Sequence, residues 1–369
     1  MKNYKILLAE PVIETKETIA LTKKVLLSNF PNEGSFAKLF EEKISKLLKI
    51  KYVVTTTSGT VAIFLALKAL GIKKNDEVIV PNITFPATAN AVELAGAKPI
   101  LVDMDSKNLL IDENNLIKKI SKKTKAIIPV HISGRGSNIK KIIKIAKKKN
   151  LYVIEDAAEA FMSKSKNKFL GTFGDVGCFS FAPNKIITTG QGGVVVTNNN
   201  LIYKNLLRLK DQGRTGKTIG GEDKYTSIGY NFKFTNIQAA FGLGQLKKIK
   251  QRVNILKNHY KYYKKNLKEN KNFKLIGFNL KDGECPLWID VFCAKRNELF
   301  SYLKKQGINC RFFWQPLNTY KPYKKSFLDL KNSQIFNSKL MWLPSSLKLK
   351  KKDLAKICKQ INKFNLING

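Results

Sequence analysis

Residues Cys178-Phe-Ser-Phe-Ala-Pro-Asn-Lys185-Ile-Ile-Thr-Thr-Gly-Gln-Gly-Gly193 set one lysine between an apolar run and a glycine-rich turn that leads into a second β-branched run. Short apolar runs bounded by Gly and Pro read as buried strands, so strands are expected at 178–180 and 193–197, with Lys185 in the loop between them. Upstream the same grammar repeats. Strand candidates lie at 52–55, 77–80, 99–102, 126–130 and 152–155, separated by stretches 60–70, 87–95 and 139–148 that carry apolar residues at helical spacing. Seven strands alternating with helices predict an α/β unit whose sheet is mostly parallel and covered by helices. Beyond it a long helical pattern runs over 236–268, and the composition then changes to shorter alternating segments with a basic, helical end. A chain of 369 residues is long enough for one large and one smaller unit, and the boundary is expected near residue 250, giving 1–250 and 251–369.

Composition narrows the chemistry. Five cysteines, an odd number, are scattered without the close paired spacing of a zinc or redox motif, so they read as reduced structural thiols. With only two histidines, His131 and His259, neither a histidine-rich metal site nor a serine–histidine pair has material to draw on, and no metal is expected. No apolar stretch approaches the ~20 residues that span a bilayer, and Ile6 to Ala9 is too short for a secretory core. No membrane association is expected, and the cytoplasm is the expected compartment. The formal charge of +40 raises nucleic acid as a partner, but it is mostly lysine spread along the whole chain rather than arginine gathered in one stripe. A dispersed positive field predicts no nucleic-acid role and instead favours the approach of an anionic substrate.

Four further stretches carry chemistry. Val153-Ile-Glu-Asp156-Ala-Ala-Glu159 delivers acids at the C-terminal end of an apolar strand, the end at which open α/β sheets bind ligands. Thr57-Ser58-Gly59-Thr60 precedes an apolar helix and leaves backbone donors at its positive end, suited to a phosphate, although a Ser or Thr there is also an ordinary helix cap. Pro81-Asn-Ile-Thr-Phe85 offers an aromatic ring that serves equally as core. Gly229-Tyr-Asn231 precedes the long helical pattern.

In this order and spacing the five stretches resemble the DegT/DnrJ/EryC1/StrS family of sugar aminotransferases, and the resemblance runs over nearly the whole chain. It implies the fold type I architecture of pyridoxal-phosphate enzymes, an α/β fold with a mostly parallel seven-stranded sheet and a smaller C-terminal α/β domain. It also implies that Lys185 condenses with the cofactor aldehyde and later shuttles a proton. By the same resemblance Asp156 pairs with the pyridine nitrogen, Glu159 stands near the ring hydroxyl, Phe85 stacks on the ring, and Gly59, Thr60 and Ser180 hold the phosphate. Asn231 is implied to reach the phosphate of a neighbouring subunit, which makes a homodimer with shared active sites. The implied reaction is ping-pong transfer of an amino group from glutamate to a keto-sugar nucleotide. Asn32-Glu-Gly34, Thr235-Asn236 and Gly307-Ile-Asn-Cys-Arg-Phe-Phe313 resemble perosamine-synthase-like members, which aminate carbon 4 of a 6-deoxy-4-keto-hexose. A carbon-3 aminotransferase is the alternative within the family, and a non-catalytic regulator or nucleic-acid binder the alternative outside it. Dehydratases of the same fold replace the lysine, so Lys185 argues against them. Two departures from the family pattern are Lys233, where relatives commonly carry Arg, and Asn318, where many carry His.

Overall fold

The apolar runs assemble into one sheet in the computed structural model, which describes residues 4–136, 139–215, 224–324 and 328–368. Its strands are β1 Tyr52–Thr56, β2 Glu77–Pro81, β3 Lys98–Val102, β4 Thr124–Ile127 and β5 Tyr152–Asp156, followed, after a small hairpin of β6 Lys164–Ser165 and β7 Lys168–Phe169, by β8 Val176–Ser180 and β9 Gly193–Thr197. They stand in the order β1-β9-β8-β5-β4-β2-β3. Neighbours from β8 to β3 pair in parallel, and β9 alone runs against both of its partners. The mostly parallel seven-stranded sheet expected from the sequence is therefore the one found.

Both faces of the sheet are covered, which is why its strands are apolar almost without interruption. Side chains alternate between the faces as the two-residue period requires. Val54, Cys178 and Val195 pack on one side with Ala62, Leu65 and Ala66 of helix α3 Gly59–Ala69. Val53, Phe179, Val194 and Val196 pack on the other with Phe40 and Ile44 of helix α2 Ser35–Leu48. Helix α1 Thr15–Leu27 packs against the helix Asn236–Leu246, and its Leu21 reaches the same core.

The C-terminal part builds a second, antiparallel sheet of strands Phe273–Leu275, Ile289–Cys293, Leu340–Leu343 and Arg311–Phe312, in that spatial order. Helices Ile249–Asn266, Arg296–Lys305 and Lys351–Asn368 cover it, and their side chains share one core cluster with Ile289, Val291, Met341 and Leu343. Ile6 bridges Ile308 and joins the same cluster, so the first residues of the chain complete the core of the last ones.

The helical pattern over 236–268 is two helices, Asn236–Leu246 and Ile249–Asn266. Lys248 leaves the helical region with φ −102° and ψ 10°. Apolar spacing continues across the break, so periodicity does not register it. On either side, Gln245 accepts the Thr188 amide and donates to the Thr188 carbonyl, and Arg252 donates to the Ile186 carbonyl. Both helices thereby grip the backbone that follows Lys185.

Candidate active site

The C-terminal ends of β1, β2, β5 and β8 converge on a cavity of about 300 Å³, lined by Gly59, Thr60, Phe85, Asp156, Glu159, Ser180 and Lys185 among others. Seven of the eight residues singled out in the sequence thus meet in one place. A larger surface hollow of about 530 Å³ lies by Lys125, Tyr152 and Asp175, at the opposite, N-terminal end of strands β4 and β5, and holds none of them.

Lys185 sits in the loop between β8 and β9, and that loop is closed on itself. The Phe181 amide donates to the Gly192 carbonyl at 2.8 Å, the Thr189 amide to the Phe181 carbonyl at 3.0 Å, and the Lys185 amide to the Ala182 carbonyl at 3.0 Å. Gly190 turns the chain at φ +79°, a left-handed conformation that a side chain would strain. The largely buried Lys185 ammonium lies 3.3 Å from Glu159 Oε1.

Glu159 is fixed by two further donors. The Trp288 indole donates to Oε1 at 2.8 Å and the Ser133 amide to Oε2 at 2.9 Å. Asp156, buried at the end of β5, accepts the Thr88 hydroxyl at 2.7 Å and the Ala158 amide at 3.2 Å. Burial pushes its carboxyl above the usual carboxylate range, against the opposing pull of Thr88, Ala158 and the Lys185 charge. A buried carboxylate held this way favours a cation beside it.

At the start of α3, Ser58 is the helix cap and accepts the Val61 amide at 3.2 Å. Among the described residues no hydrogen bond engages the amides of Gly59 and Thr60. The turn approaches β8 so closely that a Cβ on Gly59 would lie 2.8 Å from the Ser180 Cβ, so only glycine leaves this cradle open. Phe85 is 54% exposed, with its ring centroid 6.2 Å from that of Trp314. Unengaged helix-start amides, a buried acid, a lysine and an exposed ring in one cavity fit pyridoxal phosphate.

Asn231 does not line this cavity. It is exposed and bridges Asp211, which also pairs with Lys233 at 2.6 Å. Asn318, the other departure from the family pattern, exchanges hydrogen bonds with the buried Asn82: the Asn82 amide group donates at 2.9 Å and the Asn318 backbone amide donates back at 3.0 Å.

Sequence reasoning missed the residues that the C-terminal part contributes to the wall, namely Arg311, Trp314 and Trp342, and also Thr84, Asn184 and Gln191. One signal was available. The chain has three tryptophans, and all three gather here, because Trp288 stacks on Trp342 at 5.1 Å and Trp314 meets Trp342 edge to face at 5.1 Å.

The chain is similar to known proteins along nearly its whole length. The chain is 37% identical over 337 residues to a GDP-perosamine synthase of Escherichia coli O157:H7, covering 90% of this chain and 91% of that protein. It is 33% identical over 370 residues to a GDP-perosamine synthase of Vibrio cholerae, covering 97% and 99%. Among solved structures, Helicobacter pylori PseC, an aminotransferase involved in the biosynthesis of pseudoaminic acid, superposes with a TM-score of 0.90 at 28% identity, over 97% of this chain and 98% of that one. Residues 12–362 match the family as a whole. The chain belongs to the DegT/DnrJ/EryC1/StrS aminotransferase family, whose cofactor is pyridoxal phosphate.

Proposed function

We propose that this protein transfers an amino group from glutamate to carbon 4 of a nucleotide-linked 4-keto-6-deoxy-hexose, with GDP as the nucleotide and Lys185 as the residue that holds pyridoxal phosphate. The observation that carries the reading is the meeting of Lys185, Asp156, Glu159 and the Gly59–Thr60 cradle in one cavity. When bound, the cofactor supplies an electron-withdrawing ring that carries the amino group between donor and acceptor.

The residues divide the remaining work. The Gly59 and Thr60 amides and the Ser180 hydroxyl hold the phosphate at the positive end of α3. Asp156, steadied by Thr88, keeps the ring nitrogen protonated. Phe85 would stack on the ring, and Glu159 holds the Lys185 side chain in place. The Lys185 amine would move the proton between the two carbons that exchange the amino group. The choice of sugar rests on the GDP-perosamine synthases to which the chain is similar.

Asn231 serves the phosphate site of a second copy in a homodimer. Helices α1 and α2, the turn between them and the segment after Asn231 expose Ile19, Leu26, Leu27, Phe30, Leu39 and Ile237, apolar side chains that a two-fold partner would cover. Five free, buried cysteines suit the reducing cytoplasm.

The test supplies GDP-, UDP- and dTDP-linked 4-keto and 3-keto sugars with glutamate and follows release of 2-oxoglutarate. Turnover of the GDP-linked 4-keto sugar is expected. Turnover confined to 3-keto sugars would overturn the carbon-4 assignment and leave the cofactor chemistry standing.

A further inference from the structure

We propose that Trp288 is a positioning residue for Lys185, acting from the C-terminal part of the chain through the carboxylate of Glu159. Glu159 Oε1 is shared: it accepts the Trp288 indole at 2.8 Å and faces the Lys185 ammonium at 3.3 Å. Lysine has four rotatable side-chain bonds and loses about 2 kcal/mol of rotamer entropy when it is fixed. A carboxylate that itself swings gives it no fixed anchor. Trp288 and the Ser133 amide together leave Glu159 one orientation, with Oε1 turned toward the lysine.

Trp288 is in turn held. It is buried and stacks on Trp342 with the ring planes 19° apart, and the Trp342 indole donates to Asp290 Oδ1 at 2.6 Å. Asp290, also buried, accepts the Ser133 hydroxyl at 3.0 Å and pairs with the Arg135 guanidinium at 2.5 Å. Ser133 therefore touches both carboxylates, with its amide on Glu159 and its hydroxyl on Asp290. It does so with φ at +56°, a conformation that costs a serine energy and persists where its surroundings determine it. The Leu287 amide closes the connection by donating to the Ser133 carbonyl at 2.9 Å. The charged groups around the anchor are Lys185, Asp156, Arg135, Asp290 and, across the cavity, Arg311, with the Cys285 thiol behind. Among the described residues the Trp288 indole is the only side-chain hydrogen-bond donor besides Lys185 on the Glu159 carboxylate. A residue present for packing alone needs no such donor.

The inference rests on Lys185 being the cofactor residue. Its experiment mixes cofactor-free protein with pyridoxal phosphate and follows the rise of visible absorbance in four forms: wild type, Trp288→Phe, Glu159→Ala and the double variant. Phenylalanine keeps an aromatic ring against Trp342 and removes the N–H. Loss of one hydrogen bond to a charged group predicts capture slowed about tenfold in Trp288→Phe. In the Glu159→Ala background the same change should add less than about twofold, because the coupling partner is gone. Equal slowing in both backgrounds, or none in either, overturns the proposal.

A second measurement covers a Trp288→Phe variant that fails to fold. The three indole N–H resonances of the cofactor-free protein are compared with those of Glu159→Ala. One resonance must move, and three unchanged signals overturn the proposal. A wild type that never captures the cofactor refutes the proposed function instead, and the indole spectrum then still decides whether Trp288 holds Glu159.

Discussion

Asn236 supplies the cap that Gly34 lacks. Gly34 occupies the cap position of helix α2 and has no side chain to offer, and Asn236 Oδ1 accepts the Phe36 and Ala37 amides there, each at 3.1 Å. Its Nδ2 donates to the Phe30 carbonyl at 3.0 Å, and a Cβ on Gly34 would lie 2.9 Å from that nitrogen. The segments around Gly34 and Asn236, two of those that resemble the perosamine branch, are thus one structural joint.

Asn236→Ala is expected to lower stability by about 1 kcal/mol, the usual worth of a lost helix cap. Chemical denaturation measures this, and the order of preference among keto-sugar nucleotides should stay as in the wild type. An altered preference at unchanged stability would mean that the joint reads the substrate.

Gly59→Ala crowds the phosphate cradle against Ser180. Overpacking costs about 1–3 kcal/mol, and if the strain falls on the cradle the cofactor is held about ten- to a hundredfold more weakly. Equilibrium dialysis gives the affinity and circular dichroism checks the fold. Unchanged affinity in a folded variant would remove this turn from the phosphate site.

Asp156 makes the cofactor-free protein sensitive to pH. Its carboxyl is raised by burial above the ordinary value of 3.8, so the folded state keeps the proton to higher pH than the unfolded state does. Stability from this group is therefore greatest below 3.8 and falls as pH rises toward the raised value. Asp156→Asn cannot ionise, so its stability relative to wild type should climb through that window and level off above it, while turnover is largely lost. Urea unfolding of both proteins across the acid range measures the difference. A difference independent of pH contradicts the assignment of the burial cost to this side chain.

Cofactor loading should quench most of the intrinsic tryptophan fluorescence. Trp314 and Trp342 line the cavity and Trp288 stacks behind Trp342, so no tryptophan reports from elsewhere in the chain. A fluorescence titration of the cofactor-free protein reads this directly. Emission that persists at saturation would place the cofactor away from the tryptophan wall.

The sequence by itself determined what depends on neighbours a few residues apart. The seven apolar runs gave the sheet because a strand buried on both faces must be apolar throughout. Asp156 at the end of such a run and Gly59 and Thr60 ahead of a helix stood out locally as candidates, and the resemblance of the 178–193 stretch to one family singled out Lys185. Arg311 lay within the 307–313 stretch without being singled out, and the wall of Trp314 and Trp342 and the grip of Trp288 on Glu159 were not legible, because a buried tryptophan in a sequence reads the same whether it fills a core or faces a cavity. The break at Lys248 escaped because the apolar spacing passes through it. Only the packing of the C-terminal part into the core beside the first sheet decides which distant side chains meet, and contacts between residues so far apart along the chain leave no periodic trace.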